Sequence, residues 1–330
     1  MQQIEITDLA FDAEIKSVRY DWYIVGVGFE SRTEYVLDRL RNADVAALHA
    51  LVLIFPDVNG SERKGKICKI IESVFPQVDV ETVGTNSQFA IWNLLRERFQ
   101  APGSTRILVD YSSMSRAWYA AILSWFWENS RMHLRCQLDF LYALGKYSRE
   151  FAEKEVVIDD IEIVPGCAGE MFRQARTVAV FGLGFYGYMS LCACEQIEPD
   201  VLYTFSTTEN PIAEFVIEDR AGNRELVQRA SKSFKLSVTS VAAAYRCLSE
   251  ISTIHLNKRD EVILAPMGPK PHVLASVLVS LANRRVCTLR VRHEQYKSDV
   301  EALGPIIATR INFVTIETNS LMGKREDTRV

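Results

Sequence analysis

One pattern is written into this chain twice. Val25-Gly26-Val27-Gly28-Phe29 recurs 156 residues later as Phe181-Gly182-Leu183-Gly184-Phe185. Ile107-Leu108-Val109-Asp110-Tyr111-Ser112-Ser113-Met114 recurs 155 residues later as Val262-Ile263-Leu264-Ala265-Pro266-Met267-Gly268-Pro269. Each copy is an apolar strand that enters a turn of small residues and then a helical pattern. Two unrelated coincidences would not share nearly one offset. The chain therefore reads as α/β, with two tandem Rossmann-like doubly wound parallel-sheet domains related by internal duplication.

The hydrophobic periodicity supports that reading. Strand patterns at Trp22–Val27, Ala47–Phe55, Val78–Val83, Arg106–Asp110 and Cys136–Tyr142 alternate with helical ones at Arg32–Leu40, Ser61–Val74, Gln88–Phe99 and Arg116–Glu128. Continuous apolar strands such as Ala47–Phe55 are the mark of a sheet covered on both faces. The second unit repeats the alternation from Thr177 to Arg292, with strands expected near Lys235–Val241 and Thr288–Arg292 and a polar excursion over Glu209–Gln228. The expected boundaries are 1–145 for the first domain, 146–176 for a connector, 177–318 for the second domain and 319–330 for a polar tail.

Composition narrows the function classes. The 330 residues are 48% hydrophobic, enough for two real cores. The net charge of −4 argues against a broad nucleic-acid-binding surface, although a local cleft can still be positive. Met1-Gln2-Gln3-Ile4-Glu5 lacks the pattern of a signal peptide. The longest apolar runs are shorter than the ~20 residues that span a bilayer. The expectation is a soluble cytoplasmic protein with no membrane partner. The seven cysteines are odd in number and irregularly spaced, without Cys-x-x-Cys, so reduced buried thiols are expected and neither a disulfide framework nor a metal site.

In doubly wound sheets, ligands sit outside the carboxyl ends of the strands. The repeated turns lie there, so the polar residues in them are the candidates. In the first turn, Gly26 and Gly28 let backbone amides approach an anion, Arg32 can hold it, and Glu30 can accept from a sugar hydroxyl or act as a base. Asp57, after the second strand, suits a ribose hydroxyl, with Asn59 beside it. In the serine-rich turn, Ser112, Ser113 and Ser115 precede Arg116 at the start of a helix, which makes an anion cradle. The competing reading is that Ser113 or Ser115 only caps that helix. Asp110 ends a buried strand, where an acid is costly unless paired or used.

In the second unit, Gly182 and Gly184 belong to a full G-x-G-x-x-G, and Gly268, Lys270 and His272 stand where the serine turn stood. Nicotinamide or flavin binding is not expected, because the first copy has Ser31 at the third glycine position and Glu209 falls late for a ribose-binding acid. There is no Walker A, no nucleophile elbow and no His-Glu-x-x-His.

The string from Ile107 to Arg116, followed by an Ala-rich helix, resembles a ligand-binding turn of the CRISPR-associated Rossmann-fold (CARF-like) sensors. The first turn, Gly26–Arg32, resembles it more loosely. In that family an acid and small hydroxyl or glycine residues end an apolar strand, and a basic residue opens the next helix. Tyr111-Ser112-Ser113-Met114 stands here in place of the family's threonine-glycine-glycine-threonine core. The resemblance implies binding of an oligonucleotide second messenger and a role in prokaryotic antiviral defence.

The expected function is thus that of a nucleotide- or phosphorylated-ligand-binding protein, a sensor or accessory component of such defence. No other cofactor is expected. Two alternatives stay open. One is a nucleotide-processing enzyme (nucleosidase, transferase or phosphodiesterase) in which Asp110 or Glu30 is catalytic and the second domain has decayed. The other is a non-catalytic subunit that meets a protein partner or a second copy of itself.

Overall fold

The computed structural model describes residues 2–58, 61–100, 105–130, 136–153, 158–170, 175–209, 216–293 and 299–315. Asn59 and the tail at 319–330 lie outside the described residues. The chain opens with β1 (Gln2–Leu9) and a single π-helical turn at Phe11–Ile15. The first unit then runs β2 (Arg19–Val27), α1 (Arg32–Asn42), β3 (Ala46–Ile54), α2 (Glu62–Val74), β4 (Gln77–Thr82), α3 (Gln88–Arg98), β5 (Arg106–Asp110), α4 (Arg116–Glu128) and β6 (Gln137–Lys146). A short α5 (Arg149–Glu153) and β7 (Ile158–Ile163) follow. The second unit runs β8 (Thr177–Gly182), α6 (Gly187–Ile197), β9 (Val201–Thr207), α7 (Ala221–Arg229), β10 (Lys232–Leu236), α8 (Val241–Leu256), β11 (Glu261–Pro266), α9 (Lys270–Ala282) and β12 (Val286–His293). β13 (Glu301–Thr315) closes it.

Two mixed, largely parallel sheets result. The seven-stranded sheet has the order β1-β13-β6-β5-β2-β3-β4, and the six-stranded sheet β10-β9-β8-β11-β12-β7. The five parallel strands of each sheet have the same order when matched by position, β6-β5-β2-β3-β4 against β12-β11-β8-β9-β10. Each sheet also carries an antiparallel strand beyond the last of these, β13 on β6 and β7 on β12. Both units are α/β and Rossmann-like.

Sheet membership does not follow the expected boundaries everywhere. β7 lies within 146–176 yet is an edge strand of the six-stranded sheet, and β13, counted with the second domain, pairs in the seven-stranded one. The strand expected near Lys235–Val241 occupies Lys232–Leu236, because Ser240 caps α8 by accepting from Ala243 N and so starts the helix at Val241. The polar excursion holds α7.

Two helices explain how the halves join. α4 is buried from Ala117 to Trp127 and α9 from Pro271 to Leu281. A helix that is apolar all round has no solvent face and must be covered on every side. Here α4 and α9 pack on each other across the two units, with α3 and α8 beside them. Val25, Trp118, Leu264 and Leu278 belong to one continuous apolar core. Along β8, Val180 faces that core while Ala179 and Phe181 face a second cluster with Met189 and Leu226, as a period of two requires. The units are therefore held together as the interior of a single domain would be.

Candidate functional site

The order of both sheets places a topological switch point between β2 and β5 and another between β8 and β11. All four turns beyond those strands face one cavity of about 610 Å³. Its wall takes Gly28, Phe29 and Glu30 from the turn after β2, and Ser113, Met114 and Ser115 from the turn after β5. Leu183 to Tyr186 come from the turn after β8, and Met267, Gly268 and Pro269 from the turn after β11. Other carboxyl ends of strands add Phe55 and Asp57 after β3, Thr207 and Glu209 at β9, and Arg290 to Arg292 on β12, while Asp159 near the start of β7 and Met189 on α6 also line it. This volume is that of a small-molecule site.

Of the residues singled out in the sequence, Gly28, Glu30, Asp57, Ser113, Ser115, Arg116, Gly184, Gly268 and Lys270 reach the cavity wall. The others stand behind it. Arg32 is 1% exposed. It donates to the Glu30 carboxylate and to Ala143 O (3.0 Å), and it lies 5.2 Å from the centre of the Tyr142 ring. Its charge is spent on the fold, and Glu30 is the side of that pair the cavity sees. Ser112 is fully buried, and its Oγ accepts from Ala143 N at 2.8 Å, tying β5 to β6. His272 is 1% exposed, approaches Ser237 O at 3.3 Å, and is pushed down to about 4 by burial. Gly26 and Gly182 sit inside their strands.

The rivalry between cap and cradle in the serine turn is resolved residue by residue. Ser115 caps α4, accepting from Trp118 N at 3.2 Å and donating to Thr85 O at 2.8 Å. Ser113 Oγ lies 2.8 Å from Thr33 Oγ1. Asp110 is fully buried. Its Oδ1 accepts from Ser112 N at 2.9 Å. Burial pushes its carboxyl up to about 6, against the pull of the Ser112 hydrogen bonds and of Arg32 and Lys270. It does not reach the wall.

Gly184 is required by a close approach within the chain. A Cβ there would lie 2.3 Å from Met267 O, so the turns after β8 and β11 touch backbone to backbone. The face that a dinucleotide fold would open to a pyrophosphate is filled by that carbonyl.

The two units exchange their helix-opening cations. Arg116, at the start of α4, reaches Gly268 O (3.1 Å) and Met267 O (3.4 Å) in the second unit. Lys270, at the start of α9, donates to Ser112 O and approaches Tyr111 O (3.4 Å) in the first. Among the described residues neither has a carboxylate within ion-pair distance. Burial lowers the pKa of Arg116, and the charge of Arg290 adds to the effect. Burial likewise pushes Lys270 down to about 7, helped by Arg32 and Arg116 and opposed by Glu30 and Asp110. Arg290 lies on the same wall, paired through one nitrogen with Glu162 while its buried Nε has no acceptor among the described residues. Arg116, Lys270 and Arg290 thus stand near one another on a wall that Glu30, Asp57, Asp159 and Glu209 also line, and carbonyl oxygens only partly compensate the first two.

Three contributors lie outside the candidate set read from the sequence, where Glu209 falls late for a ribose-binding acid. Arg290 and Arg292 alternate along β12 near its carboxyl end, and that placement on a strand was the available signal. Glu209 follows β9 as Asp57 follows β3, and both face the cavity. Burial acts to raise the Glu209 carboxyl. Hydrogen bonds from Ser237, Thr207 and the Val238 amide outweigh it and hold the group down to about 2. No group of three or more His, Cys, Asp or Glu side chains among the described residues is placed to hold a metal. None of the described helices is long and apolar enough to cross a membrane.

No family model matches this chain, and no curated protein matches it. Solved structures match weakly. Can2 from Sulfobacillus thermosulfidooxidans, in complex with cyclic tetra-adenylate, aligns over 37% of this chain and 32% of its own, at 14% identity and a TM-score of 0.27. An adenylation, ketoreductase and pseudo-Asub structure of a keto acid-selecting NRPS module aligns over 86% of this chain and 30% of its own, at 9% identity and a TM-score of 0.22. This chain therefore spans about a third of the length of each.

Proposed function

We propose that the chain binds a nucleotide or another phosphorylated small molecule in the cavity between its two units. The observation that carries this reading is the gathering of Arg116, Arg290 and Lys270 on one wall, with no carboxylate partner for Arg116 or Lys270 among the described residues. Holding like charges together in a partly buried site is costly, and an anion entering the cavity relieves that cost. Arg116 is the principal anchor, because a guanidinium stays charged under all ordinary conditions and presents a planar fork to phosphate. Asp57 and Glu209 supply acceptors for sugar hydroxyls, one from each unit. Phe29, Phe55 and Phe185 supply apolar walls, and Phe55 is backed by Trp118 at a ring separation of 4.0 Å.

The shared strand order supports descent of both units from one duplicated module. Asp110 lies behind the wall, which favours binding over acid–base catalysis by that residue. A sensor or accessory role in prokaryotic antiviral defence is the biological setting we infer, on the likeness of the serine-rich turn. Mass spectrometry of small molecules released from the purified chain tests the reading directly. The expected result is an anionic metabolite retained by the parent and lost on Arg116→Gln. Retention of the same molecule by both proteins would exclude Arg116 as the anchor.

A further inference from the structure

We propose that Lys270 serves this cavity as an amine nucleophile, capturing a phosphorylated aldehyde or ketone as a reversible Schiff base. The inference rests on the anion-binding reading above and narrows its ligand class.

The geometry separates Lys270 from its neighbour Arg116. Both line the cavity and both contact carbonyl oxygens of the opposite unit. A guanidinium can only donate. A lysine that loses its proton keeps two N–H groups and gains a lone pair. Ser112 O and Tyr111 O are two acceptors for those two N–H groups. One tetrahedral position of Nζ is left over, on a residue that lines the cavity. A lysine kept as a structural cation ordinarily pairs with a carboxylate, and among the described residues no carboxylate lies within 4 Å of this one.

The charged groups that act on Lys270 come from every element around it: Glu30 and Arg32 from the β2–α1 turn, Asp110 from β5 and Arg116 from α4. With burial the largest influence, they leave the amine titrating near neutrality, so a substantial fraction carries the lone pair at physiological pH. Arg116 then holds the ligand's phosphate and Lys270 meets its carbonyl.

The step balances without an oxidant or reductant. Nζ forms a bond to the carbonyl carbon as the C=O π pair moves to oxygen. One nitrogen proton passes to that oxygen. The carbinolamine then expels its hydroxyl with the second nitrogen proton as water, and C=N remains.

The test treats the full-length chain with pyridoxal 5′-phosphate, reduces with borohydride and maps the adduct by peptide mass spectrometry. Unphosphorylated pyridoxal is the control probe, and Lys270→Arg and Arg116→Gln are the variants. Lys270 should be labelled ahead of surface lysines, and its labelling should rise as pH increases through about 7. Lys270→Arg should lose the adduct while surface lysines react as they do in the parent. Arg116→Gln should lower labelling by the phosphorylated probe about tenfold more than it changes pyridoxal labelling, the effect of one charge-assisted contact with phosphate. Label spread over surface lysines and unaltered by Lys270→Arg would overturn the proposal. So would pyrophosphate affinity that weakens as pH rises through that range without an adduct, because Lys270 would then be acting as an ammonium anchor. If pyrophosphate itself fails to bind, the anion-binding reading falls instead.

Discussion

Replacing Arg116 with glutamine separates the binding role of this residue from its structural one. In the free protein its guanidinium makes two contacts, at 3.1 Å to Gly268 O and 3.4 Å to Met267 O. As hydrogen bonds from a charged group each contributes up to ~1.5–3 kcal/mol at ideal geometry, and less at these lengths. Against them stands the cost of holding a half-buried charge without a carboxylate partner among the described residues: desolvation, and then the nearby charge of Arg290, lower the guanidinium pKa. The terms oppose each other, so the melting temperature of the ligand-free variant should stay within ~4 °C of the parent. With an anion bound the balance changes. A charge-assisted contact is worth ~1.5–3 kcal/mol, and glutamine supplies only a neutral donor. The dissociation constant for inorganic pyrophosphate or adenosine 5′-monophosphate should therefore rise about 10- to 150-fold. Isothermal titration calorimetry at fixed ionic strength measures it. A variant that binds pyrophosphate within about twofold of the parent would refute the reasoning, since a contact worth over 1 kcal/mol cannot vanish so quietly.

Three further outcomes are expected. Gly184→Ala places a Cβ 2.3 Å from the Met267 carbonyl and should cost at least ~1–3 kcal/mol, seen as a lower urea midpoint; Gly65→Ala on α2, where nothing lies within 4 Å of the added carbon, should instead stabilise by about 0.5–1 kcal/mol. Asp110→Asn should stabilise the fold at neutral pH. A buried acid raised to about 6 is penalised increasingly as pH climbs from its ordinary unfolded value, so the gain grows between about pH 4 and 6 and then levels at roughly 3 kcal/mol or less, measurable as melting temperature against pH. Glu209→Gln should have the opposite profile. A carboxylate held down to about 2 stabilises at neutral pH, and its contribution fades as pH falls below the ordinary glutamate value, so parent and variant melting temperatures should converge in acid.

Much of the architecture can be read in one dimension, because local physics governs it. Strand and helix alternation, the glycine and serine turns, and the apolar faces of α4 and α9 depend on residues close in sequence, and the two offsets near 155 already marked matching positions in two units. Those positions pointed to the turns beyond β2, β5, β8 and β11, which do face one cavity. Chain pairing is a long-range property, and there local reasoning stopped. That β13 returns to β6, and that β7 completes the other sheet, depends on which edge is open after everything else has packed. Burial decided the fate of single residues. Arg32 and Arg116 carry the same signal in sequence, a cation opening a helix after a polar turn. Arg32 meets Glu30 and Ala143 O and leaves the wall, whereas Arg116 finds, among the described residues, carbonyls across the interface and stays on it. Ser112 and Ser115 likewise became structural through partners contributed by β6 and by Thr85. The crossed reach of Arg116 and Lys270, and the entry of Arg290 into their company, follow from two helices that are buried over almost their whole length against one another and bring the two switch points face to face.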